Sequence, residues 1–293
     1  MRWANALNSA LQNRAIPDHL NTGALRRIRS FVRREGRMTG AQQRALMECW
    51  EPFGVEAGAM LLKPEILFGR HAPLVLEIGF GDGESLAAMA AAHPEWDYLG
   101  IEVHRPGIGH LLLRATELQL TNLRILCADA VEALEWRLPD ECLDRMQIFF
   151  PDPWPKARHH KRRLVQAQRI ALLVRKIKPH GQLHVATDCE DYACAMLDLF
   201  NTTAELVNTA DGGEFAPRPA WRPLTKFEQR GQRLGHLIRD LVFIRRNRAF
   251  PLAEKQIFDH NSKDYVPLSE RGDGVAAADS SGQPDPNLKM ATR

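Results

Sequence analysis

The stretch Leu74-Val75-Leu76-Glu77-Ile78-Gly79-Phe80-Gly81-Asp82-Gly83 decides the fold. Its apolar opening has the length of a buried strand and is too short for most helices. It breaks at once into Gly79, Gly81 and Gly83, and glycines on alternate positions let a chain turn sharply and bring bare backbone against a ligand. Glu84 to Ala90 then reads as a helix, stopped by Pro94. Strand, glycine turn and helix N-terminus together make a nucleotide-sized site with helix amides facing the ligand.

A dinucleotide fingerprint needs a third glycine five residues after the first, and Glu84 stands there. The acids Glu77, Asp82 and Glu84 would repel a pyrophosphate and welcome a ligand carrying an ammonium and ribose hydroxyls. The next strand, Asp97 to Ile101, runs into Glu102, a second acid placed to accept two ribose hydroxyl hydrogen bonds. The pattern resembles the S-adenosylmethionine loop of class I methyltransferases. A tight structural turn with chance acids is the alternative.

Outward from this core, strands (74–78, 97–101, 123–127, 145–150, 182–187) alternate with helices (84–92, 107–120, 162–178, 190–200). Such alternation predicts a parallel sheet covered on both faces, doubly wound because the crossovers share one hand. Gly235 to Arg246 reads as an antiparallel last strand, and Ala41 to Trp50 as an amphipathic helix. Residues 1–60 are expected to be an N-terminal extension, 61–248 the catalytic domain and 249–293 a largely disordered tail, of which Gly272 to Arg293, with a single leucine and no aromatic residue, is too poor in apolar residues to fold. The extension carries six arginines between Arg26 and Arg37, either a solvated arm or a phosphate-binding one.

With 293 residues, 44% of them hydrophobic, the chain can bury a proper core. No apolar run approaches the length that spans a bilayer, and no secretory signal is evident. The cysteines (Cys49, Cys127, Cys142, Cys189 and Cys194) include no Cys-x-x-Cys pair, so buried free thiols in a cytoplasmic protein without metal are expected. A net charge of +3 is mild; its distribution is not. Lys156, Arg158, His159, His160, Lys161, Arg162 and Arg163 follow Phe149-Phe150-Pro151-Asp152-Pro153-Trp154-Pro155 without an acid among them. The three prolines hold Asp152 in a rigid loop, Trp154 offers a face for a base, and the cations suit a phosphate backbone. Asp129 ends the third strand, where it is either a ligand contact or the N-cap of a helix. Asp188 ends the fifth, and Thr225 with Glu228 forms a capping-box pattern.

Taken together, the run 149–156, the basic run 158–163, Ala186-Thr187-Asp188 and Arg222-Pro223-Leu224-Thr225-Lys226-Phe227-Glu228 resemble the bacterial tRNA (guanine-N7-)-methyltransferase family, as does Ser30-Phe31-Val32-Arg33-Arg34-Glu35-Gly36-Arg37. The resemblance runs from about Arg27 to Arg246. It implies an α/β, Rossmann-like class I methyltransferase with a doubly wound, mostly parallel sheet, using S-adenosylmethionine to methylate N7 of a variable-loop guanosine in tRNA. By position it implies cofactor binding by Glu77, Glu102, Asp129 and Asp152, with Asp152 also catalytic, beside the turn glycines Gly79, Gly81 and Gly83. It implies substrate binding by Lys156, Asp188, Thr225, Lys226, Phe227 and Glu228, to which the cations and histidines Arg158, His159, His160, Lys161, Arg162 and Arg163 add the phosphate contacts expected from their charge. A monomer or weak homodimer is expected. Two rival readings remain: methylation of an exocyclic amine, since Asp152-Pro153-Trp154 is distantly similar to the Asp-Pro-Pro-Tyr loop, and a non-catalytic RNA-binding module.

Overall fold

A computed structural model describes residues 31, 36–56, 58, 60–233 and 235–247, with the side chains of 226, 227, 230 and 232 left aside. Most of the basic arm and the whole tail therefore lie outside the described residues. Seven strands form one sheet in the order β3-β2-β1-β4-β5-β7-β6: β1 Leu74–Ile78, β2 Asp97–Glu102, β3 Leu123–Cys127, β4 Leu143–Phe149, β5 Ile177–Thr187, β6 Leu206–Asn208 and β7 Arg239–Arg245. The first five pair in parallel. β7 runs antiparallel between β5 and β6. This is a doubly wound, mostly parallel sheet.

Period-two alternation assigns the faces. Leu74, Leu76 and Ile78 pack with Leu134, Leu173 and Phe200, the apolar stripes of α6 (Ala130–Trp136), α7 (Ala167–Lys176) and α8 (Glu190–Thr202). Val75 points the other way, toward Leu46, Leu86 and Leu111 of α1 (Gly40–Glu48), α4 (Glu84–Ala92) and α5 (Arg105–Glu117). Short helices α2 (Trp50–Phe53) and α3 (Pro64–Phe68) precede the sheet, and α9 (Lys226–Arg233) precedes β7. The sheet order reverses between β1 and β4, which opens a crevice beyond their C-terminal ends.

Some boundaries depart from the sequence reading. The segment expected as helix 162–178 is a 3-10 turn over Ala157–Arg162, an extended link and then α7. Leu164 and Val165 in that link are buried in the main core. β5 starts at Ile177, because Pro179 cannot continue a helix. The last strand occupies only Arg239–Arg245, and the three-residue β6 outside it was not foreseen. The five thiols are free but not buried: four are half-exposed and Cys194 is exposed. No helix among the described residues is long and apolar enough to cross a membrane.

Candidate active site

The glycine turn after β1 has the conformation its residues require. Gly79 and Gly81 sit at φ 74° and 61°, where a side chain would be strained, and the space a Cβ would take at either is open. From behind, α5 presses on the turn so closely that a Cβ on Gly107 would lie 1.9 Å from the Gly81 carbonyl oxygen. Glu102 then ties turn to strand. Its Oε2 accepts from the Gly81 N–H (3.0 Å), and its Oε1 accepts from the N–H groups of Val103 (2.6 Å) and His104 (2.9 Å).

Glu77 lies just inside the strand end, 2% exposed. Burial, then the nearby carboxylates of Asp82 and Glu102, push its pKa up to about 8. Its Oε2 has no hydrogen-bond partner. A buried acid with an orphaned oxygen beside an open glycine turn is what a cationic ligand with hydroxyls would complete, so these residues fit S-adenosylmethionine. The sign of the pH dependence follows. Below about pH 8 the unliganded acid keeps a proton that it must release to meet a cation. The affinity for S-adenosylmethionine, titrated calorimetrically, should therefore rise by about tenfold per pH unit between about pH 6 and 8. Glu77→Gln should flatten that slope; an unchanged slope in the variant would rule out Glu77 as its source.

The crevice, about 200 Å³, is lined by Gly79, Glu102, Phe149, Pro151 and Asp152, with Phe31 reaching in from the N-terminal arm. Asp129 is not on its wall. It caps α6 through Oδ1, which accepts from the Val131 N–H (2.8 Å) and the Glu132 N–H (3.3 Å), while its neighbours Ala128 and Ala130 do line the crevice.

The carboxylate loop is held under strain. Phe150 and Trp154 take φ of 50° and 46°, each costing about 1–3 kcal/mol for a bulky residue. Between them Asp152 is exposed at the crevice. The basic run beyond it divides by burial. Lys156, Arg158 and Lys161 face solvent. Arg162 lies over the Trp154 ring at 5.0 Å and His159 meets the same ring edge-on, so the face expected to receive a base already carries a guanidinium. Burial and the surrounding cations hold the His159 pKa below its ordinary value. Arg163, expected among the phosphate contacts, turns inward and is buried.

Asp188 stands at the end of β5, half-buried, with His236 Nδ1 at 3.3 Å from its Oδ2. Thr225 performs the capping role: its Oγ1 accepts from the Glu228 N–H (3.1 Å). The Glu228 side chain is placed otherwise than expected. It is 1% exposed, and both its oxygens accept from Arg222 (2.6 and 3.0 Å). The Lys226 and Phe227 side chains lie outside what the structure describes.

The chain matches the family described as "Putative methyltransferase" over residues 71–241. It is 54% identical to a tRNA (guanine-N(7)-)-methyltransferase of Alcanivorax borkumensis, over 76% of this chain and 93% of that one. With the enzyme of that name from Edwardsiella ictaluri the identity is 56%, over 77% and 94%. The chain belongs to the tRNA (guanine-N7-)-methyltransferase family. Among solved structures, the 16S rRNA methyltransferase KamB aligns with a TM-score of 0.46 at 14% identity, over 62% of this chain and 92% of that one.

Phe31 and Arg222 stand in stretches that carry the resemblance without a role assigned to either, and His236 carries no signal in the sequence; the pairing of Arg222 with Glu228 and of His236 with Asp188 is set by the fold.

Proposed function

We propose that this chain transfers the methyl group of S-adenosylmethionine to N7 of a guanosine in tRNA, at the variable loop. The observation that carries the reading is the identity above 50% spanning nearly the whole length of enzymes bearing that name. The residues support it chemically. When bound, the cofactor supplies an electrophilic methyl on a sulfonium. Guanine N7 already holds a lone pair and no proton, so the protein needs no base to make the nucleophile; its work is alignment. Asp152 and Asp188 are positioned at the C-terminal ends of β4 and β5. Two such carboxylates can accept from the guanine N1–H and exocyclic amine, and they stabilise positive charge arising on the ring. Lys156, Arg158 and Lys161 beside them suit the surrounding phosphates, and an unpaired loop base is how proteins usually read RNA.

The test is transfer of labelled methyl to bulk tRNA, followed by chain scission at 7-methylguanosine. Label at a variable-loop guanosine is the expected outcome. Label on an exocyclic amine would overturn the assigned atom, and cofactor binding without transfer would favour an RNA-binding module.

A further inference from the structure

Arg163 closes a run of cations, yet it does not behave like its neighbours. Its side chain is 6% exposed. The Nε–H donates to the carbonyl oxygen of Pro153 (2.8 Å), the residue next to Asp152. The Nη2 group donates to Asp191 Oδ2 and lies 3.1 Å from His160 Nε2. The guanidinium rests over the Tyr192 ring, its Cζ 4.6 Å from the centroid. Tyr192 is fixed in turn: its hydroxyl accepts from the Val165 N–H (3.0 Å). Asp191 and Tyr192 stand in the first turn of α8, directly after Asp188 and its following N-cap residue Cys189. One side chain therefore joins the loop after β4 to the helix start after β5.

Those two segments carry the acids to which the proposed function gives the chemistry. We infer that Arg163 is a positioning residue for methyl transfer, a latch that sets Asp152 and Asp188 relative to one another, and not a phosphate contact. The inference rests on the proposed function. Three physical points carry it. A guanidinium with two of its nitrogens engaged inside the protein is withheld from a polyanion, whereas Lys156, Arg158 and Lys161 are exposed. The Arg163–Pro153 bond restrains a loop whose flanking residues Phe150 and Trp154 hold unfavourable backbone angles, which persist only where the surroundings over-determine them. Asp191, 68% exposed, has its pKa held below the ordinary value by the hydrogen bond from Arg163, so the latch is charged throughout the neutral range.

A phosphate contact and a latch differ in what salt reveals. Each backbone contact contributes about 0.7–0.9 to the slope of log affinity for RNA against log salt. A misplaced reacting group instead lowers turnover, by about a hundredfold for 1 Å. The experiment measures kcat at saturating tRNA and S-adenosylmethionine, cofactor affinity, and the salt slope of tRNA binding. Arg163→Gln is expected to lower kcat by about a hundredfold and Asp191→Asn by about tenfold, both with wild-type salt slope and cofactor affinity within about twofold. Their double variant should be no slower than Arg163→Gln alone, because both break one connection. The triple variant Lys156→Ala, Arg158→Ala, Lys161→Ala is the contrast: its slope should fall by about 2–3. A slope lowered by about one in Arg163→Gln with kcat retained would make Arg163 a phosphate contact and end the inference. Retained kcat in both single variants, with only a lower Tm, would also end it. Should Arg163→Gln fail to fold, Asp191→Asn decides, since its carboxylate is on the surface. Wild-type protein in the same assay separates the two readings: if it places no methyl on guanine N7 of tRNA, the proposed function fails before the latch is tested.

Discussion

Arg222→Ala is expected to cost about 3–5 kcal/mol of folding stability, seen as a Tm lowered by roughly 6–20 °C in a chain of this size. Arg222 is 1% exposed and is the only group that bridges Glu228 and Asp240 among the described residues. It donates twice to Glu228 and once to Asp240 Oδ2 (3.0 Å), with its Nε 2.9 Å from Asp240 Oδ1. His184, fully buried, shares the same Asp240 oxygen at 2.6 Å through Nε2. Burial holds the His184 pKa below its ordinary value, so its Nε2 donates as part of a neutral ring. Arg222 is thus the cation that the structure places against both buried carboxylates, on the strand face opposite Leu183, Val185 and Phe243. Deleting one cation strands a buried negative charge, the costly case. Arg222→Lys should recover only part of the loss, because an ammonium cannot span two carboxylates as a planar fork does. Thermal unfolding of the three proteins measures this; a Tm within about 2 °C of wild type for Arg222→Ala would show that the cluster contributes little.

That cluster also marks where the sequence stopped being readable. β1, β3 and α4 have the bounds their residues suggest, because each is a dense apolar run closed by a strong terminator. Of the acids at the strand ends, Glu102 and Asp152 line the crevice, as positions at the C-terminal edge of an open parallel sheet do. The charge of Arg163 suggests a phosphate contact and the resemblance gives Glu228 a substrate role, but neither reveals burial. Each is neutralised by a partner that only the fold supplies, Asp191 on α8 and Arg222 before α9. The basic run shows the limit most clearly. Its five cations look equivalent in sequence, yet the 3-10 turn of Ala157–Arg162 divides them into three that face solvent, one over Trp154 and one turned inward.

Asp152→Asn should lower kcat by about 10²–10³ at saturating tRNA, with little change in the affinity for S-adenosylmethionine. The amide matches the carboxylate in shape, so the loop fixed by Pro151 and Pro153 and by the Arg163–Pro153 hydrogen bond keeps its course. What disappears is a negative charge at the crevice wall, where Asp152 stands with Gly79 and Glu102. Methylation converts a neutral guanine into a cation, so a fixed carboxylate stabilises the transition state more than the ground state, and only such differential terms raise kcat. The magnitude follows from what one preorganised electrostatic group contributes once bound substrate excludes water from it, about 2.7–4 kcal/mol. Glu77, not Asp152, is the buried acid suited to the cofactor's cation, which is why cofactor affinity should be spared. Single-turnover methylation, with cofactor binding followed separately, tests both halves. Turnover near wild type would remove Asp152 from the chemistry and leave Asp188, paired with His236 at the end of β5, as the carboxylate that faces the ring.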